Sequence, residues 1–310
     1  MIEVSQNLIN KCVEALKEAS ANYGGTNTQF ARKYGMSASV WSEIKSGKPD
    51  QKLSPQKWLN IAGMLGVRDS YRVWKMARTE VFDAISDGVN ACKEFSWGMI
   101  FVDKCAIGKT YSAKYLAKTL KNCFYVDGSQ CKTKMLFTRA LAQTIGVELG
   151  GRYVDLKQRI KNALCCLEKP VVIVDEAGDL EYNAFLDLKE FYNATEGSCG
   201  WYMMGANGLR RKISEGISRE AVGYEEIFSR FSDSYAHVVP SDKDEKIEFY
   251  RRLLTAVLSV NMEDKSNLQK LVNQCLNVST GNEITGLRRA EMILILNSLY
   301  DFLWQQGHYQ

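Results

Sequence analysis

The sequence predicts an α/β domain, a parallel sheet with flanking helices, set between a small all-α region and a helical C-terminal region. Three observations carry this prediction. From Phe95 onward, apolar runs of strand length alternate with helical segments, the pattern of a parallel sheet. Residues 1–70 read as short helices without a strand, and after Pro240 the chain is helical again, a lid of three helices. The expected domains are residues 1–70, 71–240 and 241–310.

At 310 residues, 45% hydrophobic and 25% charged, the chain can bury one small core and one larger one. It has no run of about 18 apolar residues, and acidic and polar residues interrupt its first segment where a signal peptide needs an apolar centre. A cytoplasmic protein without a membrane partner is expected. The nine cysteines include no C-x-x-C pair, and His237 and His308 have no cysteine nearby, which argues against zinc. The thiols read as small buried hydrophobes in a reducing compartment. A net charge of +4 is too mild to establish nucleic-acid binding, so the placement of basic residues matters more than their number.

Near the N-terminus, apolar or small residues fall at Phe30, Ala31, Met36, Val40, Trp41 and Ile44, with Gly35 at the break. That spacing predicts two short amphipathic helices joined by a tight turn, the second capped by the Ser37 hydroxyl. A further helix over Ser54 to Val67 closes the small core, Arg68-Asp69-Ser70 is the expected linker, and Tyr71 to Ala91 reads as a helix entering the next domain. Ala31, Gly35, Trp41 and Ile44 occupy the small, turn and buried positions of a motif, and the segment resembles the helix-turn-helix of phage repressors. The resemblance implies that Ser37, Ala38, Ser39, Ser42, Glu43 and Lys45 face a DNA major groove. Small hydroxyl side chains read bases weakly, so modest specificity is expected; docking to a protein is the alternative.

The candidate strands are Trp97 to Val102, Cys123 to Val126, Val171 to Val174, Trp201 to Met204 and Ala236 to Val239. The first runs into Asp103-Lys104-Cys105-Ala106-Ile107-Gly108-Lys109-Thr110-Tyr111 and a helical pattern. Strand, loop ending Gly-Lys-Thr, helix is the context of a phosphate-binding P-loop. Backbone N–H groups at the helix start would cradle the phosphates of ATP, Lys109 would reach the β and γ phosphates, and Thr110 would hold Mg2+. Asp103 stands where the pattern has its first glycine. An acid there repels phosphate unless it turns outward, and weakened ATP affinity is expected. The apolar strand Val171 to Val174 ends in Asp175, suited to hold magnesium through water, and Glu176, suited to polarise the attacking water.

Two further segments resemble the AAA+ class. Gly200 to Asn207 is a strand with a polar amide at its end, which makes Asn207 the sensor. Glu225 to Phe231 is similar to the segment carrying the arginine finger of replication initiators, making Arg230 the finger, with Arg219 as the other candidate. In the lid, Gly286-Leu287-Arg288-Arg289-Ala290-Glu291 resembles the second sensor, with Arg288 directed at nucleotide. The resemblance thus implies an ATPase.

The order of helix-turn-helix, short linker, minimal AAA+ module and small lid resembles, over essentially the whole chain, the Mu B family of transposition ATPases. It implies an ATP-dependent oligomer or filament on double-stranded DNA that delivers target DNA to a transposase. It also implies DNA contact by basic loop residues, which match Lys132, Thr133 and Lys134 after the second strand, with Arg152 a second candidate. A helicase loader or replication initiator, and a nucleotide-sensing transcription regulator, are the alternatives.

Overall fold

The computed structural model describes residues 4–48, 53–67, 74–276 and 286–305. The expected linker Arg68-Asp69-Ser70 lies outside them. The chain divides into two compact units: Met1–Tyr71, Asp87–Val102 and Ala113–Ala236 form one, and Arg72–Ser86, Asp103–Ser112 and His237–Gln310 the other.

The first unit opens with four helices, α1 (Gln6–Ala21), α2 (Asn27–Lys33), α3 (Ala38–Lys45) and α4 (Pro55–Leu65). Local chemistry sets their ends. Thr26 and Gln29 form a reciprocal capping box on α2, Ser37 accepts from Val40 N–H to start α3, and Ser54 precedes Pro55 at the first position of α4. Gly35, at φ +69°, makes the turn between α2 and α3, a conformation that costs other residues about 1–2 kcal/mol. Phe30, Ala31, Met36, Trp41 and Ile44 are buried as the spacing predicts, with Leu8, Leu16, Trp58 and Ile61 completing the core.

The same unit holds four parallel strands, β1 (Gly98–Val102), β2 (Cys123–Asp127), β3 (Val171–Asp175) and β4 (Gly200–Gly205), in the order β1-β4-β3-β2. Every residue of β3 and β4 is buried, as expected of a parallel sheet covered on both faces. The helices between strands are α5 (Glu80–Phe95) before β1, α6 (Lys109–Thr119), α7 (Lys134–Ile145), α8 (Tyr153–Cys166) and α9 (Tyr182–Ala194). After β4 come α10 (Asn207–Ser218) and α11 (Tyr224–Arg230). One face of the sheet packs Phe124, Val126, Val172, Val174, Trp201 and Met203 against Phe137, Leu141, Ile160 and Phe191.

The helical bundle is docked on this α/β core. The Tyr23 hydroxyl donates to the Ile145 carbonyl at the end of α7, and Asn22 Nδ2 donates to Lys118 O at 2.8 Å. Gly146 lies so close that a Cβ there would stand 2.4 Å from Gln29 O. Lys33 is pinned between them, its Nζ 5.7–5.9 Å from the ring centroids of Tyr23, Tyr34 and Phe124. Burial pushes its amine down to about 8, opposed in part by the Cys123 thiol.

In the second unit, α12 (Lys243–Asn261), α13 (Leu268–Leu276) and α14 (Gly286–Gln305) form the three-helix lid around Leu254, Leu258, Val272 and Ala290. The expected helix over Tyr71 to Ala91 starts only at Glu80; residues 71–73 lie outside the described residues, and 74–79 form no helix or strand. The reason is a distant amide: Asn261 Oδ1 accepts Lys75 N–H at 2.7 Å while its Nδ2 donates to Lys75 O at 3.2 Å, pairing both backbone groups as a strand neighbour would. The expected strand over Ala236 to Val239 is also corrected. Only a single bridge, Phe101 to Ala236, forms beside β1, because the next donors, Val238 N–H and Val239 N–H, turn to the Asp103 carboxylate.

Candidate active site

The loop after β1 belongs to the unit that contains the lid. Ala106 (φ +59°) and Gly108 (φ +100°) take left-handed conformations that fold the loop tightly before Lys109 opens α6. The first backbone bond of that helix runs from Ser112 N–H to Gly108 O, so the amides of its opening turn are directed along the axis, where an anion is stabilised. Lys109 is buried and its Nζ donates to Asp103 O at 2.9 Å and Lys104 O at 2.6 Å, folded back along its own loop. Lys104, Ala106 and Thr110 are half-buried, Ile107 is buried, and Cys105 and Tyr111 are exposed. Tyr111 donates its hydroxyl to Trp74 O at 2.7 Å.

Asp103 is 5% exposed and points into the protein. Oδ1 accepts Lys104 N–H at 2.7 Å, and Oδ2 accepts Val238 and Val239 N–H at 2.6 and 3.0 Å. The carboxylate is turned outward from the phosphate cradle and satisfied by amides. The lid closes on the loop's other side: Leu287 N–H donates to Ala106 O at 2.7 Å, and a Cβ on Gly286 would lie 2.5 Å from the same oxygen. Arg288, the next residue, is exposed in the first turn of α14, so the candidate second sensor and the loop are brought together.

In the sheet-bearing unit, β2 and β3 end in register, Asp127 beside Asp175. Asp175 is 1% exposed; Oδ2 accepts the Tyr125 hydroxyl at 2.9 Å and Oδ1 accepts Glu176 N–H at 3.0 Å. Burial, then the Asp175 and Asp127 charges, push the Tyr125 hydroxyl well above its ordinary range, so it remains a donor. Tyr125 was not among the residues singled out from sequence, although its place in β2, two residues before the acidic end, is a signal that strand register makes readable. Glu176 sits at φ +47°, ψ +40°, a strained conformation for a non-glycine residue, directly after a buried strand. Asn207 is exposed at the first position of α10, two residues beyond the end of β4. Arg230 ends α11, exposed, its guanidinium reaching only Glu226 O at 3.5 Å.

The basic loop lies against this acidic end. Gly128 approaches so closely that a Cβ would stand 2.7 Å from Glu176 O and 3.0 Å from Asp175 O. Thr133 caps α7 through Leu136 N–H, Lys134 is exposed at its first position, and exposed Lys132 pairs with Asp179 at 3.3 Å. Arg152 is exposed and pairs with Asp155 at 3.0 Å. On the helical bundle, Ser37, Ser39, Ser42 and Lys45 are all exposed, while Ser37 Oγ is engaged by Val40 N–H and by Ser39 Oγ.

A parallel sheet of this order, a Gly-Lys-Thr loop opening a helix, and a buried strand ending Asp-Glu are the parts of a P-loop ATPase core. Residues 106–213 match the family model of the AAA domain. No curated protein matches the chain. No helix among the described residues is long and apolar enough to cross a membrane.

Proposed function

We propose that this protein is a DNA-stimulated ATPase that assembles on duplex DNA in its ATP-bound state and delivers that DNA to a transposase. The observation that supports it best is the close approach of Gly128 to the Asp175–Glu176 backbone, because it sets the lysine-bearing loop directly against the end of β3 that carries Glu176. A phosphate drawn to Lys132 competes with Asp179 and shifts the loop against Glu176, which is a physical route from DNA to hydrolysis. Lys109 and the amides at the start of α6 take the triphosphate, Glu176 polarises the attacking water, and Asn207 and Arg288 report the γ-phosphate. Arg230 stabilises its charge from a neighbouring subunit, a contribution worth about three to five orders of magnitude in rate in other P-loop systems.

Thr110 and Asp175 would hold magnesium. A hydroxyl and a carboxylate are the hard oxygen donors it takes, and both oxygens of Asp175 already accept a hydrogen bond, which suits contact through water. Magnesium at that position would neutralise charge on the β and γ oxygens.

DNA contact falls to Lys132, Thr133 and Lys134, which act on the backbone irrespective of sequence, with the exposed serines and Lys45 of the α3 face adding weak base readout. The test is duplex binding by fluorescence anisotropy at fixed salt, with and without ATP. Binding should require ATP, vary little with sequence and fall steeply with salt. Equal binding in both nucleotide states would count against an ATP-driven assembly. A defined operator bound without any transposase would favour a transcription regulator, and capture of a replicative helicase would favour a loader.

A further inference from the structure

A cleft of about 510 Å³ opens on the first unit between the start of α9, the exposed face of α10 and α11. Its rim carries Arg211, Glu215 and Arg219, spaced four residues apart on one face of α10. Arg211 has no hydrogen bond or ion pair among the described residues, and Arg219 meets Glu215 only at 3.9 Å, with 76% of its side chain exposed. An exposed pair of that kind contributes little, so both guanidiniums are available to a ligand. Lys212 is not: its Nζ donates to Gly178 O at 2.9 Å and to Leu180 O, and burial pushes the amine down.

The cleft floor is aromatic. Tyr182 and Tyr224 stack at 5.9 Å and 19°, with Phe185 also stacked on Tyr224 at 5.3 Å. Gly216 permits this, since a Cβ there would stand 2.3 Å from the Tyr224 ring. Tyr182 remains 41% exposed beside the two arginines, an apolar ring face within a cationic rim.

The cleft is also continuous with the basic loop. Segment 178–182 is their common wall: Glu181 N–H donates to Lys132 O at 2.8 Å and Lys132 pairs with Asp179 on one side, while Lys212 grips Gly178 and Leu180 on the other. Lys132 and the cleft that holds Tyr182, Arg211 and Arg219 therefore share one short segment of backbone. Eight residues of helix separate the two arginines by roughly 12 Å, about the axial rise of three to four nucleotides in one strand.

We infer that this cleft is a second DNA-backbone site, in which Arg211 and Arg219 each take a phosphate and Tyr182 packs on the intervening sugar, extending the track that begins at Lys132. The inference rests on the DNA-binding function proposed above. A polyanion is favoured over an acidic peptide because the cationic surface continues beyond the cleft to Lys132, and because guanidiniums beside an exposed aromatic ring suit phosphate and sugar together. Glu215 works against the phosphates and gives the site a built-in test.

The experiment measures duplex affinity of the full chain with ATP across a salt series. Arg211→Ala and Arg219→Ala should each lower the steepness of log K against log salt by about one and weaken binding roughly tenfold at moderate salt. The Lys variants at both positions should keep the wild-type slope, and Glu215→Gln should tighten binding. Arg211→Ala should leave DNA-free ATP hydrolysis unchanged. If wild type binds DNA and Lys132→Ala with Lys134→Ala weakens it, but the arginine variants keep wild-type affinity and slope, the cleft is not a DNA site and only this inference fails. If wild type does not bind duplex DNA, the proposed function itself fails. Unchanged DNA binding with a loss of hydrolysis that mixing with the Glu176→Gln protein restores would reassign the arginines to a neighbour's triphosphate and overturn the inference.

Discussion

Asp103 Oδ2 accepts the backbone N–H of Val238 at 2.6 Å, tying the first residue of the phosphate loop to the segment that leads into the lid. With the second bond, from Val239 N–H at 3.0 Å, the acid that stands in a glycine position becomes a fastener. The repulsion expected from sequence depended on the carboxylate facing phosphate, and it accepts three backbone amides instead.

Asp103→Gly should therefore destabilise the protein without tightening ATP binding. It removes hydrogen bonds to a charged acceptor and leaves buried N–H groups unmet, a loss on the order of 3 kcal/mol. Asp103→Asn, which can still present one oxygen to both amides, should cost less. Thermal unfolding beside ATP calorimetry checks this; a glycine variant that unfolds at the wild-type temperature and binds ATP more tightly would restore the repulsion account.

What was legible in the sequence follows from how local the cause is. Val171 to Val174 could be read because a strand buried on both faces is a continuous apolar run, and Gly35 and Ser37 because turns and caps act within a few residues. Gly-Lys-Thr and Asp-Glu were legible as motifs at strand ends. Asp103 was not, since its partner Val238 lies 135 residues onward. The same diversion of donors kept Ala236 to Val239, apolar enough to read as a strand, from forming one, and Asn261, 186 residues from Lys75, holds part of an expected helix outside helical geometry. Lys33 gave no signal at all, because its three ring neighbours come from two different layers of the unit.

The Lys33 amine should make stability rise with pH. Its folded value is about 8 against an ordinary 10.5, so between those two pH values the unfolded chain holds a proton that the folded chain has released. The burden of the buried charge is thus fully present below about 8 and relieved as pH approaches 10.5. Lys33→Met removes the charge and keeps a side chain that packs on rings. The stability difference between variant and wild type, from urea unfolding, should favour the variant at pH 7.5 and shrink by pH 9.5. A difference that is constant with pH would mean that Lys33 is solvated in the folded state.

Lys109→Ala and Glu176→Gln should separate binding from hydrolysis. Loss of Lys109 removes the cation that meets the β and γ phosphates, and also the bonds its Nζ makes to Asp103 O and Lys104 O, so ATP binding should vanish with a small fall in unfolding temperature. Glu176→Gln leaves the phosphate cradle intact and should bind ATP, hydrolyse it at least a hundredfold more slowly, the low end of what general-base catalysis contributes, and dissociate from DNA more slowly. Hydrolysis at the wild-type rate in the glutamine variant would assign the base elsewhere.

Arg230→Ala should leave ATP binding by the monomer nearly intact while lowering hydrolysis and DNA-bound oligomer formation together. Its guanidinium meets only Glu226 O at 3.5 Å and forms no ion pair among the described residues, and the bond from the Tyr192 hydroxyl goes to the Arg230 carbonyl, which alanine retains. Folding should therefore survive the change, and any loss of activity belongs to what the side chain reaches outside its own subunit. A finger acting in trans makes a specific demand on mixtures. When Arg230→Ala and Glu176→Gln subunits assemble together, one kind of interface pairs the intact Glu176 of the first with the intact Arg230 of the second. Only that interface is complete, so the mixture should hydrolyse more ATP than the two variants measured apart. If mixed oligomers form, as labelled subunits can verify, and hydrolysis stays at the sum of the separate rates, Arg230 does not act across the interface, and Arg219 becomes the residue to test in the same way.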